Sequence, residues 1–229
     1  VNIVGWDDNF PASSFKNKPA GNGAWLCRNS WSDKTENSIN SYFWLSYYDQ
    51  SICDCSSFLV ESAGNYDHIY QTDLCGWVGQ LGYGKESAFF ANIYTAEEKE
   101  ELEAVGFYAT GENTSYQVYT VTDAEGSSQF GRRRKVASGE VANAGYYTVL
   151  LDKTVTLEAG ERFAVIVEIT TPGAIHPVAI EYSSPDKGLT VDLSDGEGYI
   201  SYRGSSWERV ETEQNCNVCL KAYTRNVDS

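Results

Sequence analysis

Apolar and polar positions alternate over short runs along most of the chain, and these runs predict strands. The opening "VNIVGW" is an apolar strand closed by the turn cluster Asp7-Asp8-Asn9. A loop from Phe10 to Gly23 leads to a second run, "AWLCRNSW", and the polar "SDKTENSIN" separates that from a third, "SYFWLSYYD". Three strands joined by polar loops, with no helical pattern between them, predict a small antiparallel subdomain. From Asn65 to Ala91 the pattern weakens, and Gly76, Gly79, Gly82 and Gly84 among aromatics predict turns and short irregular strands. Strand character resumes in "ESAFFANIYT". In "TAEEKEELEAV", Thr95 with Glu98 three residues on has the form of a capping box and predicts a turn or two of helix. The rest is a series of short runs bounded by Gly, Asn, Asp or Pro and rich in β-branched and aromatic residues: "EAVGFYAT", "SYQVYTVTD", "KVASGEV", "GYYTVLLD", "TVTLEAGERFAVIVEIT", "PVAIEYS", "GYISYRG" and "VCLKAYT". That spacing predicts an antiparallel β-sandwich. No internal repeat of fixed period points to a propeller or solenoid. The fold class expected is all-β and mainly antiparallel, with a β subdomain over residues 1–64 and a sandwich over residues 65–229.

Composition supports a packed core: of 229 residues 41% are hydrophobic and 14% aromatic. The formal net charge of −15 argues against nucleic acid as a partner, because phosphate binding needs clustered Lys and Arg. The one basic run, Arg132-Arg133-Arg134-Lys135, sits between Gly131 and the strand-like "VASGEV" and reads as a solvated hairpin face. No stretch approaches the roughly 18 consecutive apolar residues that cross a bilayer, so no membrane span is expected. The first six residues lack the parts of a signal peptide. A chain opening in mid-strand, with no Met anywhere, reads as a processed product or a fragment.

Six cysteines stand at Cys27, Cys53, Cys55, Cys75, Cys216 and Cys219. Cys53-x-Cys55 and Cys216-x-x-Cys219 together could supply four thiolates, but a one-residue gap is tighter than zinc-ligand spacing, and paired or buried structural cysteines are expected instead. Cys27 alternates with Trp25 and Asn29 along a strand and reads as a small buried hydrophobe. Asp192, Asp195 and Glu197 in "DLSDGEG" have the oxygen chemistry for calcium, but read as an acidic solvated turn. No metal and no cofactor is expected.

Candidate chemistry lies in "GNGAWLCRNSW", Gly21 to Trp31. In a thiol protease a thiolate pairs with an imidazolium, and a third residue orients that ring. An Asn carboxamide serves this purpose, and a nearby indole shields the hydrogen bond from water; Asn29 and Trp31 supply both groups. With "VNIVGWDD" before it and "YFWLSYYD" after it, the stretch resembles the C-terminal part of papain-like cysteine peptidases, particularly bacterial exported members with a Gly-Trp-Asp-Asp turn. In that family His-Ala-Val precedes the first strand. Val1 aligns with its Val, so the resemblance implies a catalytic His two residues upstream of Val1, and a nucleophilic Cys and oxyanion-hole Gln further upstream. It implies Asn29 as the orienting residue and Trp31 as its shield. The chain departs from the family after Trp31, where "NSWSDKTENSINSYF" lacks the usual glycines and second Trp. Cys75 in "LCGW" follows Asn29, against the family order of Cys, His, Asn, and neither His68 nor His176 has a His-Ala-Val setting.

The remainder, including "NYDHIYQTDLCGW", "AFFANIYTA" and "NVCLKAYT", resembles the lectin-like domain that follows the catalytic domain in clostridial-type papain-like peptidases. Together these resemblances imply a C-terminal fragment of an exported bacterial cysteine peptidase, secreted or cell-surface. Alone it would be inert, its partner the upstream half that bears Cys and His, its substrate in the full-length protein a peptide. The alternative is a glycan- or cell-wall-binding sandwich with a degenerate protease portion. Trp77, Tyr83 and Trp207 are the candidate stacking residues for a sugar; a sandwich also fills its core with such aromatics.

Overall fold

The computed structural model describes residues 1–30, 42–53 and 55–227. Two compact units result, Val1–Val60 and Glu61–Ser229. Among the described residues the secondary structure is nearly all strand, as the alternating pattern predicts.

The first unit is a sheet of β1 (Asn2–Asp7), β2 (Ala24–Arg28) and β3 (Tyr42–Ser46), antiparallel in the order β1-β2-β3. The predicted turn after β1 forms around the Asp7 side chain, whose Oδ1 accepts the Asn9 N–H at 2.9 Å. Phe10 from the following loop stacks on Trp44 with ring centroids 4.6 Å apart. The unit has little core of its own. Its buried apolar side chains, among the described residues, are the small Ala12, Ala24 and Cys27, while Val1, Ile3, Val4 and Trp6 stand exposed on β1 and before it.

The second unit begins with the short strands β4 (His68–Tyr70) and β5 (Gly79–Leu81), where the glycine-rich pattern predicts irregular structure. Long strands follow: β6 (Ser87–Thr95), β7 (Glu100–Ala109), β8 (Thr114–Thr122), β9 (Arg134–Val141), β10 (Gly145–Leu157) and β11 (Arg162–Thr170). The chain closes with β12 (Val178–Glu181), β13 (Gly198–Ser201), β14 (Glu208–Arg209), the one-turn helix α1 (Val210–Glu213), β15 (Asn217–Val218) and β16 (Leu220–Asn226). A six-stranded sheet, β14-β13-β6-β11-β8-β9, faces a four-stranded sheet, β10-β7-β16-β4, and a three-stranded one, β15-β12-β5. Every strand pairing is antiparallel.

The main core lies between these sheets. Phe90 of β6 and Phe163, Val165 and Val167 of β11 meet Leu102, Val105 and Phe107 of β7 and Leu220 of β16. Strands β6 and β11 are also covered on their other face, where Phe89, Ala91, Ala164 and Ile166 form a second cluster with Phe130. Burial on both faces explains why "AFFANIY" and "FAVIVEI" read as continuous apolar runs rather than alternating ones.

The helix predicted near Thr95 is not formed. Residues 96–99 make a turn and β7 begins at Glu100, whose side chain is fully buried. Its Oε1 accepts the backbone N–H groups of Glu97 at 3.1 Å and Glu98 at 3.0 Å, and the Tyr70 hydroxyl at 2.6 Å; its Oε2 accepts the Thr224 hydroxyl. A carboxylate therefore does collect free turn donors here, but it is Glu100, and the turn leads into a strand. The pairing of β7 with both β10 and β16 outweighs the helix propensity of the glutamates. The runs "GYYTVLLD" and "TVTL" also fuse into one strand, β10, with a register shift between Leu150 and Val155.

Candidate functional site

Asn29 follows the last residue of β2 and is half-buried. The β1–β2 register pairs Asn2 with Arg28 and Ile3 with Cys27, so Asn29 lies beside the start of β1. Trp31, its expected shield, lies outside the described residues. Cys27, two positions back, is buried as expected, and its Sγ is within 3.9 Å of the Trp25 carbonyl oxygen. Burial raises the Cys27 thiol pKa, which holds it in the neutral form.

No alternative cysteine nucleophile assembles among the described residues. Cys75 sits in a tight turn where Gly76 has φ +68°, and the Cys75 N–H is taken by Glu181 Oε2 at 2.6 Å. The His68 ring is held by Asn226 Oδ1 at 2.8 Å and Glu97 at 3.5 Å, with no cysteine bonded to it. Cys216 and Cys219 are buried; burial pushes the Cys216 thiol up to about 12 and raises Cys219 further, against the carboxylates of Asp73 and Glu181. Such thiols are poor nucleophiles and poor metal ligands. The expectation of paired or buried cysteines holds for Cys27, Cys216 and Cys219 as buried residues only. No cysteine is paired, and Cys53, Cys55 and Cys75 are exposed on irregular stretches that bring no second thiol to them.

The three candidate stacking aromatics are not brought together. Trp207 lies edge-on against Phe130, 4.9 Å between centroids, and against Phe89, 6.3 Å, which places it over the second core. Tyr83 packs on the main core, and its hydroxyl reaches Glu208 at 3.3 Å; burial and that carboxylate push its pKa up to about 12. Trp77 is the most open of the three, with 37% of its surface exposed. Its ring contacts Tyr108 at 5.9 Å, Tyr108 contacts Tyr146 at 4.9 Å, and Tyr146 hydrogen-bonds Tyr223, whose ring meets Tyr66 at 4.9 Å. This row runs over the outer face of the four-stranded sheet. A Cβ on Gly106 would strike the Tyr146 hydroxyl, so the glycine is what lets Tyr146 reach across β7. Tyr108, Tyr146 and Tyr223 are not recognisable from sequence as site residues, because their alignment depends on the pairing of β7 with β10 and β16.

The second unit also buries the carboxylates of Asp73, Glu181 and Glu211. Asp73 meets Lys221 at 2.7 Å, Glu181 accepts from Asn217 Nδ2 at 2.9 Å, and Glu211 accepts the Gly198 N–H at 2.6 Å. Burial raises the Asp73 pKa, opposed by Lys221, and raises that of Glu211. Asp192, in the expected acidic turn, caps Ser194 through its N–H and hydroxyl, and that bonding lowers its pKa. Among the described residues no three His, Cys, Asp or Glu side chains gather as a metal site.

The second unit is thus a two-layer β-sandwich module with an aromatic outer face, preceded in the chain by a small antiparallel sheet. The chain belongs to the lectin-like domain family, whose family model matches residues 69–224. Two solved structures resemble nearly all of it. One is the clostridial cysteine protease Cwp84 after propeptide cleavage, 25% identical with a TM-score of 0.76, covering 97% of this chain and 56% of that one. The other is the cysteine protease and lectin-like domains of Cwp84, a surface layer associated protein of Clostridium difficile, 26% identical with a TM-score of 0.74, covering 98% of this chain and 51% of that one. The chain thus spans about half the length of these structures. No curated protein sequence matches the chain. The similarity extends beyond the sandwich into the first unit, in agreement with the resemblance of residues 1–64 to the end of a papain-like domain.

Proposed function

We propose that this chain is the C-terminal part of an exported papain-like cysteine peptidase, in which residues 1–64 complete the catalytic domain and residues 65–229 form its lectin-like sandwich. The observation that carries this is how little core the first unit shows among its described residues: Val1, Ile3, Val4 and Trp6 are exposed, and the buried apolar side chains there are the small Ala12, Ala24 and Cys27. Such a sheet is stable only against a further apolar surface, and an upstream papain-like half supplies one. The register adds to it. Continuing the β1–β2 pairing past Asn2–Arg28 sets a residue two positions before Val1 on the same sheet face as Asn29, diagonal to it and roughly 7–8 Å away. A histidine there would be within reach of the Asn29 carboxamide. The upstream half contributes thiolate and imidazole, Asn29 orients the imidazole, and the product is a hydrolysed peptide bond. By likeness to a surface layer associated relative, the site of action is the cell surface.

The test is a peptidase assay on the 229-residue chain alone and on the chain joined to its upstream half. The chain alone is expected to show no thiol-dependent turnover, and the longer protein to show it. Asn29→Ala in the longer protein is expected to lower kcat by about 10²-fold with little change in KM, as a misplaced catalytic ring does. Thiol-dependent turnover by the isolated chain would sink the proposal.

A second reading, adhesion to a glycan or cell wall, is favoured by the Trp77–Tyr108–Tyr146 row, in which the exposed Trp77 and Tyr146 set apolar ring surface beside phenol hydroxyls. Glycan binding lost on Trp77→Ala, in a longer protein without peptidase activity, would establish it in place of the first.

A further inference from the structure

The run Arg132-Arg133-Arg134 does not act as one charged face. Arg133 is turned into the protein: its guanidinium lies 5.4 Å over both the Phe89 and Tyr119 rings, and Nη1 donates to the carbonyls of Phe130 at 3.1 Å and Gly204 at 3.0 Å. Its backbone, at φ −54° and ψ 139°, leads out of a short 3-10 turn ending at Arg132 and into β9, which starts at Arg134. Arg132 and Arg134 are exposed, and both line a small cavity of about 150 Å³ with Thr120, Val121, Thr122 and Asp123. The register shift between Val118 and Tyr119 in the β8–β9 pairing ends with Thr120 opposite Arg134, which brings that side chain to the groove. Arg132 Nη2 is steadied by the Asp123 carbonyl at 3.4 Å.

Five basic side chains of this unit, Lys99, Arg162, Arg209, Lys221 and Arg225, lie in ion pairs with carboxylates. Arg132 and Arg134 have no such partner among the described residues, in a chain whose net charge is −15. The cavity is well below the roughly 300 Å³ at which drug-sized ligand pockets begin, so it suits a single small group. Two guanidiniums, Arg132 at the end of one turn and Arg134 at the start of β9, bring N–H donors from two separate side chains, which a tetrahedral oxyanion with three or four acceptor oxygens can use together. Asp123 contributes one opposing charge, leaving the groove net positive.

We infer that the Arg132–Arg134 groove is a binding site for a small tetrahedral oxyanion, a phosphate or sulfate group. The site is independent of the catalytic reading and of the Trp77 row.

The experiment titrates the full chain with sodium phosphate and, in parallel, sodium sulfate, following backbone amide resonances, with sodium chloride at matched ionic strength and sodium acetate as controls. Saturable shifts are expected at Thr120–Asp123 and Arg134, and the tighter of the two tetrahedral anions identifies the group. Removing both guanidiniums in Arg132→Gln/Arg134→Gln should weaken binding by about 10²-fold, roughly tenfold for each guanidinium–anion hydrogen bond removed. Lys135→Gln, outside the lining, should leave affinity unchanged. Asp123→Asn should tighten it, and Asn tolerates the left-handed backbone that Asp123 adopts at φ +54°. The inference is overturned if chloride gives the same shifts, if acetate binds more tightly than either tetrahedral anion, or if the double variant, shown by its circular dichroism to be folded, binds as the parent does.

Discussion

Asp73 and Lys221 form an ion pair of 2.7 Å on the outer side of β16, where Lys221 alternates with the core residues Leu220 and Ala222; the Asp73 side chain is fully withdrawn from water and that of Lys221 is 13% exposed. Burial raises the Asp73 pKa and Lys221 works against that rise. The pair ties the loop before Trp77 to β16. Lys221→Met would leave an uncompensated buried carboxylate and is expected to cost about 3–5 kcal/mol at pH 7 in urea unfolding. A carboxyl with a raised folded pKa favours folding below its unfolded pKa, near 3.8, and that contribution is lost as pH rises through the folded value. The gap between variant and parent should therefore narrow as pH falls from 7 toward 4. A gap independent of pH would mean that Asp73 is not the group left unpaired.

Glu100 responds to pH in the opposite sense. Burial alone would raise its pKa, but hydrogen bonds from Thr224, Tyr70 and the Glu98 N–H, with His68 nearby, hold it below the usual carboxylate value. Its contribution is present above pH 4.5 and lost as pH falls through the folded pKa. Glu100→Ala should cost about 3 kcal/mol or more, because buried hydroxyls and two turn N–H groups lose their acceptor. Glu100→Gln should flatten the loss of stability in acid, which urea melts at pH 7 and pH 3.5 would register.

Trp207 and Trp77 separate packing from binding. Trp207→Ala uncovers Phe130 and Phe89 and is expected to lower stability by about 3–5 kcal/mol. Trp77→Ala, at an exposed position, should cost about 1 kcal/mol or less. If the outer face holds a glycan, isothermal titration should show binding reduced by Trp77→Ala and kept by a folded Trp207→Phe.

Gly106 lies under Tyr146 and Tyr223, and a methyl group there has no space. Gly106→Ala should destabilise by about 1–3 kcal/mol through displacement of the aromatic row. Thermal melts of Gly106→Ala beside Gly64→Ala, where an added Cβ meets nothing, would show the contrast.

Much of the fold is legible in the sequence because a strand is a local object. The apolar runs "VNIVGW", "AFFANIYT" and "TVTLEAGERFAVIVEIT" each become strands, and the Asp7-Asp8-Asn9 cluster becomes a turn. The helix signal near Thr95 misleads because a carboxylate three residues beyond a turn can cap a helix or collect the donors of a β-turn. Only the pairing of β7 with its two neighbours selects the second. Trp207 is an attractive ligand residue in sequence, but the second core beneath it, built from the outer faces of β6 and β11, cannot be inferred before those strands are known to be central.

Sequence by itself determines the class of this protein: alternation and turn residues specify an antiparallel all-β chain, and Asn29 in its motif specifies the kind of catalytic domain residues 1–64 resemble. Tertiary structure alone decides which side chains act together. Tyr108 and Tyr146 lie on different strands, as do Thr120 and Arg134, while Asp73 reaches Lys221 from a loop. The physical reason is that strand propensity and turn chemistry are set by neighbours in the chain. Cross-strand register and two-sided burial are set by residues dozens of positions away, and only packing brings those into range.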